Sequence, residues 1–371
     1  MADGRDFWGD SILVAMERLR FGQLDRRQVL QLGALFGVAA TAVTPATVLA
    51  AANEIVFSMW GGDAEAVYRR AWGEPFQART GTQVVMDGSG PSPGRIRAMV
   101  QSGKVTWDIV DGGVGTQAAL GALGILEEID YGVFDRKKVQ PGMDYRWGAN
   151  VFVYGSVMTW DSAAFGGKQP ATWADFWDVK QFPGKRVMYK YMAGAVEAAL
   201  LADGVPLDKL YPLDLDRALK KIAEIKPHLV LWDTGASSQQ VFRDGEVTMG
   251  QIWHTRANLL GEETKGRIKY TFNGGLLHPG VMSVPKGNPA GKQKAMEFLA
   301  SMQDPKSQIV LLEALGNGPA NPEAEALVKP EFTARNPASP ENRKLMVAQN
   351  GDWYAENIVP ATKRFLDTVA S

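Results

Sequence analysis

The sequence predicts an α/β protein made of two domains, or of two lobes of one large unit. Short apolar runs alternate with helical patterns along most of the chain, which is typical of a parallel sheet with crossover helices. The chain has 371 residues, and at about 100–200 residues per domain this length suggests two units. Hydrophobic residues make up 45% and charged residues 22%, which is the composition of a soluble globular protein.

Residues 1–52 are predicted to be an export signal and not part of the fold. Arg26 and Arg27 directly precede an uncharged, moderately apolar stretch from Gln31 to Ala52. This arrangement resembles a twin-arginine signal peptide, although Asp25 and Val29 depart from the usual pattern. A retained membrane anchor is the alternative. No later run reaches 18 apolar residues, so we expect an exported, periplasmic protein with no transmembrane helix after the leader.

Three strand–helix pairs are predicted after the leader, within the first part of lobe 1 (residues 53–157). The strands are apolar, and the third ends in the turn residues Asp111-Gly112-Gly113. Thr80-Gly81 closes the first helix. We interpret Asp111 as a turn residue and not as a ligand contact. The elements are, in order, strand 54–60, helix 63–79, strand 82–86, helix 94–101, strand 107–110 and helix 117–123.

Lobe 2 is predicted to span residues 158–280, and lobe 1 is predicted to resume over residues 281–371. The long aromatic and β-branched segment 147–159 predicts one or two extended strands, with a first crossing between lobes near 155–159. A return crossing is expected near 280–284. The remaining predicted strands are 186–189, 229–232, 246–253, 267–272 and 281–285, and the remaining predicted helices are 173–179, 193–202, 213–225, 237–242, 255–262, 289–302, 305–315 and 361–368.

The composition excludes several classes of protein and site. With 40 basic and 41 acidic residues the net charge is −1, which argues against a nucleic-acid binder. The absence of cysteine removes disulfides, thiolate metal sites and a lipidated cysteine. The three histidines form no close pair, and no nucleotide-binding motif is present. We therefore expect no metal, no cofactor and no catalysis.

Gly90–Gly94 matches the GxSxG pattern of hydrolases, but we reject that function. The residue after Ser92 is Pro93, which lacks the N–H that an oxyanion hole needs. The simpler interpretation is a loop that leads into a helix. Ser92 beside the free N–H groups of a helix start would still suit an anionic group.

Trp60 and Trp253 are the main binding candidates from the pattern alone. Each ends an apolar strand and precedes a helix, and ligands of open parallel sheets bind beyond the carboxyl ends of the strands. A tryptophan there offers a flat apolar wall, or a π face to a cation. Core packing is the alternative for each.

An ordered set of segments over about 300 residues resembles the spermidine/putrescine-type periplasmic solute-binding proteins of ABC importers. The set comprises IVFSMWG (55–61), WDIVDG (107–112), ATWADFW (171–177), DGEVTMGQIW (244–253), LHPGVMSVP (277–285), AMEFL (295–299), GPANPEA (318–324) and NGDW (350–353). The resemblance implies a type II periplasmic binding protein fold, in which two α/β lobes joined by two extended crossovers close on a solute. It also implies a monomer whose partners are a small molecule and the permease subunits.

The resemblance further implies which residues line the cleft: Trp60, Gly112, Tyr189, Trp253, His278, Asn317 and Tyr354. The sequence departs from a polyamine binder in two places. The family's acids after the second-lobe strand are absent, since Tyr189 is followed by Lys190. His278-Pro279-Gly280 replaces an aromatic residue followed by Asp.

These departures favour a different ligand. A lysine that faces a diammonium ligand would repel it, whereas Lys190, Arg256, His278 and Ser92 would suit a carboxylate, a phosphonate or a zwitterion. This inference depends on Lys190 facing the cleft and not the solvent. The alternatives are a polyamine carrier that uses other acids, an exported enzyme on the same fold, and a sensor partner that does not transport.

Overall fold

One mixed sheet of 11 strands runs through the molecule in a computed structural model that describes residues 53–370. Across the sheet, the main strands follow one another in the order 83–87, 54–58, 109–113, 268–283, 148–161, 249–253, 186–189 and 229–232. The predicted twin-arginine leader lies outside the described residues and stays a prediction. No helix within residues 53–370 is both long and apolar enough to cross a membrane.

Lobe 1 is the name used here for the part built on three parallel strands: β1 (Glu54–Ser58), β2 (Gln83–Asp87) and β3 (Ile109–Gly113). Its core packs Phe57 against the rings of Tyr68, Trp72 and Phe298. The predicted first helix is confirmed, but it is interrupted by a turn of π-helix. The helices are α1 (Ala64–Tyr68), the π-helical turn Arg69–Gly73, α2 (Glu74–Thr80), α3 (Pro93–Ser102) and α4 (Val114–Ala122).

Lobe 2 is built on a second set of parallel strands: β6 (Arg186–Tyr189), β7 (Leu229–Trp232) and β8 (Met249–Trp253). Apolar residues recur on one face of its amphipathic helix 215–225, where Ala218, Leu219, Ile222 and Ile225 are buried. Its helices are α5 (Trp173–Trp177), α6 (Ala195–Ala202), α7 (Leu215–Ile225), α8 (Gly235–Arg243) and α9 (His254–Glu263).

Two long antiparallel strands join the lobes. They are β5 (Gly148–Asp161) and β9 (Ile268–Ser283), which pair from Ala149–Met282 to Asp161–Ile268. The sequence pattern predicted two short strands in place of β9 because Gly274, Pro279 and Gly280 are typical of turns. In the structure Gly280 pairs with Phe152, and its missing side chain leaves room for the Phe152 ring.

The C-terminal part of the chain packs on both lobes. The last helix begins at Gly351, ten residues before its predicted start at residue 361, and contains Pro360. Its Tyr354 packs on Gly115 of α4 and donates to Glu197 of α6. The elements are α10 (Lys292–Ser301), α11 (Pro305–Leu315), β10 (Gly318–Pro319), α12 (Pro340–Arg343), β11 (Met346–Ala348) and α13 (Gly351–Ala370), and a short β4 (Asp144–Tyr145) precedes β5.

Candidate ligand-binding cleft

The lobes meet across a closed cleft at the carboxyl ends of their parallel strands. Arg256 Nη2, on α9 of lobe 2, donates to the carbonyl of Gly61 in the loop after β1 of lobe 1, at 2.9 Å. Gly61 and Gly62 have φ of +65° and +71°, a left-handed backbone that favours glycine. A Cβ on Gly62 would lie 3.3 Å from Gln239 Oε1 of lobe 2. These two glycines therefore allow the close approach of the lobes.

Aromatic rings from both lobes line this cleft. Trp60 of lobe 1 lies edge-on to Trp253 of lobe 2, with ring centroids 5.9 Å apart, and 6.4 Å from Tyr191. Trp253 also contacts Tyr154 of β5 at 5.8 Å and Tyr189 of β6 at 5.6 Å. Trp60 and Tyr191 keep part of their surface exposed, whereas Trp253 and Tyr189 are buried. The group offers flat apolar walls to a ligand segment.

Arg256 supplies a buried positive charge. Its side chain is 3% exposed and lies against the backbone of Gly235 at the start of α8. Burial lowers the pKa of its guanidinium, while Tyr68, Asp63 and Asp111 oppose that shift. Within the described part of the chain, Nε and Nη1 have no hydrogen-bond partner. Two buried N–H donors of a cation are thus available to a negatively charged ligand group.

Asp111 supplies an opposing carboxyl group from lobe 1. It lies near the end of β3, is 7% exposed, and interacts with the hydroxyl of Tyr68 and the N–H of Gly112. Burial raises its pKa to about 8, although Arg256 lowers it. Burial and Asp111 together raise the pKa of Tyr68 well above its usual value. A cationic ligand group next to this carboxyl group would lower its pKa and favour the charged carboxylate.

The π-helical turn begins directly after Tyr68. Such turns are rare and often occur at functional sites. The turn therefore lies directly beside the contact between Tyr68 and Asp111.

Trp60, Trp253, Arg256 and Tyr189, all predicted from the sequence, come together here. Gly112 follows Asp111. The side-chain amide of Gln117 packs over Gly112, and a Cβ on Gly112 would overlap that amide.

Lys190 and Ser92 lie at the rim. The Lys190 side chain is 33% exposed, and its Nζ pairs with Asp233 at 2.6 Å. This pairing weakens the predicted repulsion of a cationic ligand, because Asp233 offsets the charge. Ser92 is the N-cap of α3 and is half-buried, and Gly90, two residues before it, faces both Trp60 and Thr234 across the cleft.

His278 lies behind Tyr154, on which its ring stacks at 4.7 Å. Its two ring nitrogens contact Ser156 Oγ at 2.8 Å and Gln349 Oε1 at 3.2 Å. Burial lowers its pKa to about 4, so the ring is neutral near pH 7. It therefore supplies no positive charge for an anionic ligand.

Asn317 and Tyr354 occupy different environments. Asn317 is 3% exposed, and its Oδ1 accepts no hydrogen bond from residues 53–370. It follows Gly316, whose carbonyl contacts His254. Tyr354 is fully buried, and its hydroxyl donates to Glu197 at 2.7 Å. The structure places Tyr354 with Glu197 and Tyr211, apart from the Trp60–Trp253 group.

Sequence reasoning missed Asp111, Tyr68 and Tyr154. Asp111 was interpreted as a turn residue, yet it extends past the end of β1 at the same edge of the sheet as Trp60. The strand-end rule applied to Trp60 would have selected it too. Tyr68 and Tyr154 lie in apolar segments where an aromatic residue is ordinarily core, and nothing in the local pattern distinguishes them. No set of three metal-ligating side chains occurs among the described residues.

Known proteins are similar to this chain over most of its length. It is 30% identical to the gamma-aminobutyric acid-binding protein of Pseudomonas aeruginosa PAO1 over 339 residues. The matched region covers 89% of this chain and 94% of that protein. The Atu4243–GABA receptor structure is 34% identical, with a TM-score of 0.76, over 86% of this chain and 98% of the other. AgtB of A. tumefaciens R10 in complex with agropinic acid is 28% identical, with a TM-score of 0.80, over 86% of this chain and 99% of the other.

These neighbours confirm the type II periplasmic binding protein fold. The predicted resemblance to polyamine-binding proteins is weaker than the resemblance to the relatives above. The spermidine/putrescine-binding protein of Streptococcus pneumoniae is 16% identical, with a TM-score of 0.61, so its likeness shows the fold alone. Of the relatives named above, two are named for GABA and the third is a complex with agropinic acid. The predicted likeness to polyamine carriers therefore holds for the wider group of proteins and not for their ligand.

The family model described as "Bacterial extracellular solute-binding protein" matches residues 71–341. Proteins of this kind bind a small molecule outside the cytoplasm and work with the permease subunits of ABC importers. The match spans most of the residues in the two lobes and both long crossover strands, and the relative from P. aeruginosa extends it over most of the chain. The chain belongs to the bacterial extracellular solute-binding protein family.

Proposed function

We propose that this protein captures a small zwitterion that carries one carboxylate and one amino group, and that GABA represents the class. The observation that carries the proposal is a buried guanidinium on lobe 2, that of Arg256, and a buried carboxyl group on lobe 1, that of Asp111, which a cationic ligand group would convert to a carboxylate. Arg256 offers unpaired donors to a carboxylate, and Asp111 accepts from an ammonium group. Relatives that are named for GABA and agropinic acid support the same class.

In this proposal the aliphatic part of the ligand lies among the rings of Trp60, Trp253 and Tyr154. Each lobe supplies the partner for one end group of the ligand, so both end groups have partners only when the lobes are closed. The ligand therefore stabilises the closed form, and the permease can distinguish it from the open one. Residues 53–157 and 281–371 would then form lobe 1, residues 158–280 lobe 2, and residues 1–52 a twin-arginine-like export signal.

The sharpest test is a panel of four-carbon ligands that differ only in their end groups. Isothermal calorimetry compares GABA with butyrate, butylamine and putrescine. We expect GABA to bind on the order of 100-fold more tightly than each of the others, because leaving one buried charge unpaired costs about 2–5 kcal/mol. Putrescine binding as tight as GABA binding would contradict the proposal and support a polyamine carrier. Turnover of the bound ligand, followed by mass spectrometry, would support an enzyme.

The affinity for GABA should depend on pH through Asp111. Its pKa is raised to about 8 in the closed, ligand-free protein, and a neighbouring ammonium group lowers it. Below pH 8 binding therefore releases a proton, so the affinity rises with pH, by up to about tenfold per unit, and levels off above pH 8.

Calorimetry at pH 6–8 in two buffers of different ionisation enthalpy measures this proton release directly. Asp111→Asn removes both the carboxylate and the pH dependence, and it weakens the binding of GABA. Glu128→Gln, which removes an exposed carboxylate paired with Arg146, is the matched control and should keep the pH dependence. An affinity for GABA that does not change between pH 6 and pH 8 would contradict the assignment of Asp111.

A further inference from the structure

We propose that Asp63, Gln239, Arg243 and Glu263 form an interlobe latch, which sets how readily the lobes close and so scales the affinity for every ligand alike. The hydrogen bonds and ion pairs that define the latch join these four residues to one another. It rests on the proposed function in one respect, since it assumes that the lobes close on a solute.

Asp63 is the lobe 1 member of the latch. It is the N-cap of α1, directly after the Gly61–Gly62 turn. Its Oδ2 accepts from Gln239 Nε2 at 3.0 Å and from Arg243 Nη2 at 3.3 Å. Gln239 and Arg243 are four residues apart on α8 and so share one helix face. One carboxylate of lobe 1 is thus held by two side chains of lobe 2.

Glu263 holds Arg243 in position from within lobe 2. Its Oε2 and Oε1 accept from Arg243 Nε and Nη2 at 3.0 and 2.5 Å, a bidentate contact. Because both residues belong to lobe 2, this pair persists when the lobes open. Arg243 is therefore already oriented when Asp63 returns, and less side-chain entropy is lost on closing.

Gln239 is the part of the latch that is removed from water. Its side chain is fully buried, while Asp63 and Arg243 remain exposed. A buried hydrogen bond is costly to break when its partner is changed, whereas exposed ion pairs contribute little. A change at Gln239 should therefore disturb closure more than a change at Arg243.

The latch makes a prediction that a ligand contact does not. When only a fraction of the molecules can close, the apparent affinity for any ligand falls by that same fraction. A latch variant should therefore weaken the binding of different ligands by one common factor. Variants of Arg256 should instead weaken mainly the binding of ligands that carry a carboxylate. Variants of Asp111 should weaken mainly the binding of ligands that carry an ammonium group.

Gln239→Glu tests the latch because it places a second carboxylate against Asp63 at nearly unchanged size. We expect it to weaken the binding of GABA, and of the next tightest ligand of the panel, by the same factor of about ten or more. Adding Asp63→Asn should restore the affinity, because the carboxylate and the amide are then exchanged and the hydrogen bond can form again. Arg267→Gln, which breaks an ion pair with Asp161 inside lobe 2, is the control and should change nothing.

A measurement without ligand separates the latch from the proposed function. The chain contains no cysteine, so Gln101→Cys and Lys209→Cys place one spin label on an exposed site of each lobe. Pulsed electron spin resonance should show longer label distances for Gln239→Glu and recovery in the double variant. That result stands even if GABA does not bind. Unchanged distances and affinities, or a loss that Asp63→Asn does not restore, would overturn the latch.

Discussion

Arg256→Gln is expected to weaken the binding of GABA by on the order of 100-fold, about 3 kcal/mol, while the fold is retained. The guanidinium is the buried cation of the cleft, and two of its donors point at no partner within residues 53–370. A glutamine keeps one short amide donor, but it loses the charge and does not reach the same position. Calorimetry measures the affinity, and thermal unfolding shows whether the variant is folded.

A second variant tests the position of the Arg256 guanidinium without removing its charge. A Cβ on Gly235 would overlap the guanidinium of Arg256, so Gly235→Ala should displace Arg256 and also weaken the binding of GABA. Arg267→Gln removes a cation from the surface of the same lobe and is the matched control. If Arg256→Gln binds GABA within about threefold of the unmodified protein, Arg256 does not hold the carboxylate.

Arg186→Met should lower the free energy of unfolding by about 4 kcal/mol, which is large for one substitution. Arg186 is fully buried and donates to the carbonyls of Phe176, Gly184 and Phe182 at 2.9, 2.7 and 2.5 Å. Methionine fills similar volume but leaves the buried carbonyls of Phe176 and Phe182 without a donor, and each such group costs about 1–3 kcal/mol. The Gly184 carbonyl is more exposed and can turn to water. Urea unfolding followed by circular dichroism measures the change.

The same variant should still bind GABA when folded, because Arg186 begins β6 whereas Tyr189, which reaches the cleft, ends it. The free energy of unfolding of Arg186→Lys should lie between those of the unmodified protein and Arg186→Met, since a single ammonium group does not reach all three carbonyls. A loss of less than about 1 kcal/mol in Arg186→Met would show that water replaces the guanidinium.

Much of the fold could be predicted from residue patterns. Strands such as 186–189 and 229–232 match the structure because β-branched and aromatic runs there are short and bounded by turns. β9 and α13 were not predicted at full length, because glycine and proline usually end such elements. In β9 the long partner strand β5 overrides that local preference, and in α13 burial of Tyr354 and Phe365 does so around Pro360.

The site was only partly predictable for a related reason. Trp60 and Trp253 could be placed because strand ends converge in any parallel sheet. The roles of Asp111 and Lys190 depend on neighbours that are distant in the chain. Arg256 and burial decide the state of Asp111, and Asp233 offsets the charge of Lys190. No spacing in the sequence reveals those partners.

The edge-on contact of Trp60 with Trp253 also gives the protein an internal optical reporter. The two indoles belong to different lobes and meet only when the lobes are closed, so opening transfers Trp60 from an aromatic contact to water. Emission from Trp60 should then shift to longer wavelength. Of the eleven tryptophans in the chain, Trp60 combines partial exposure with a contact across the cleft, so the difference between the spectra of the unmodified protein and Trp60→Phe would isolate the opening motion.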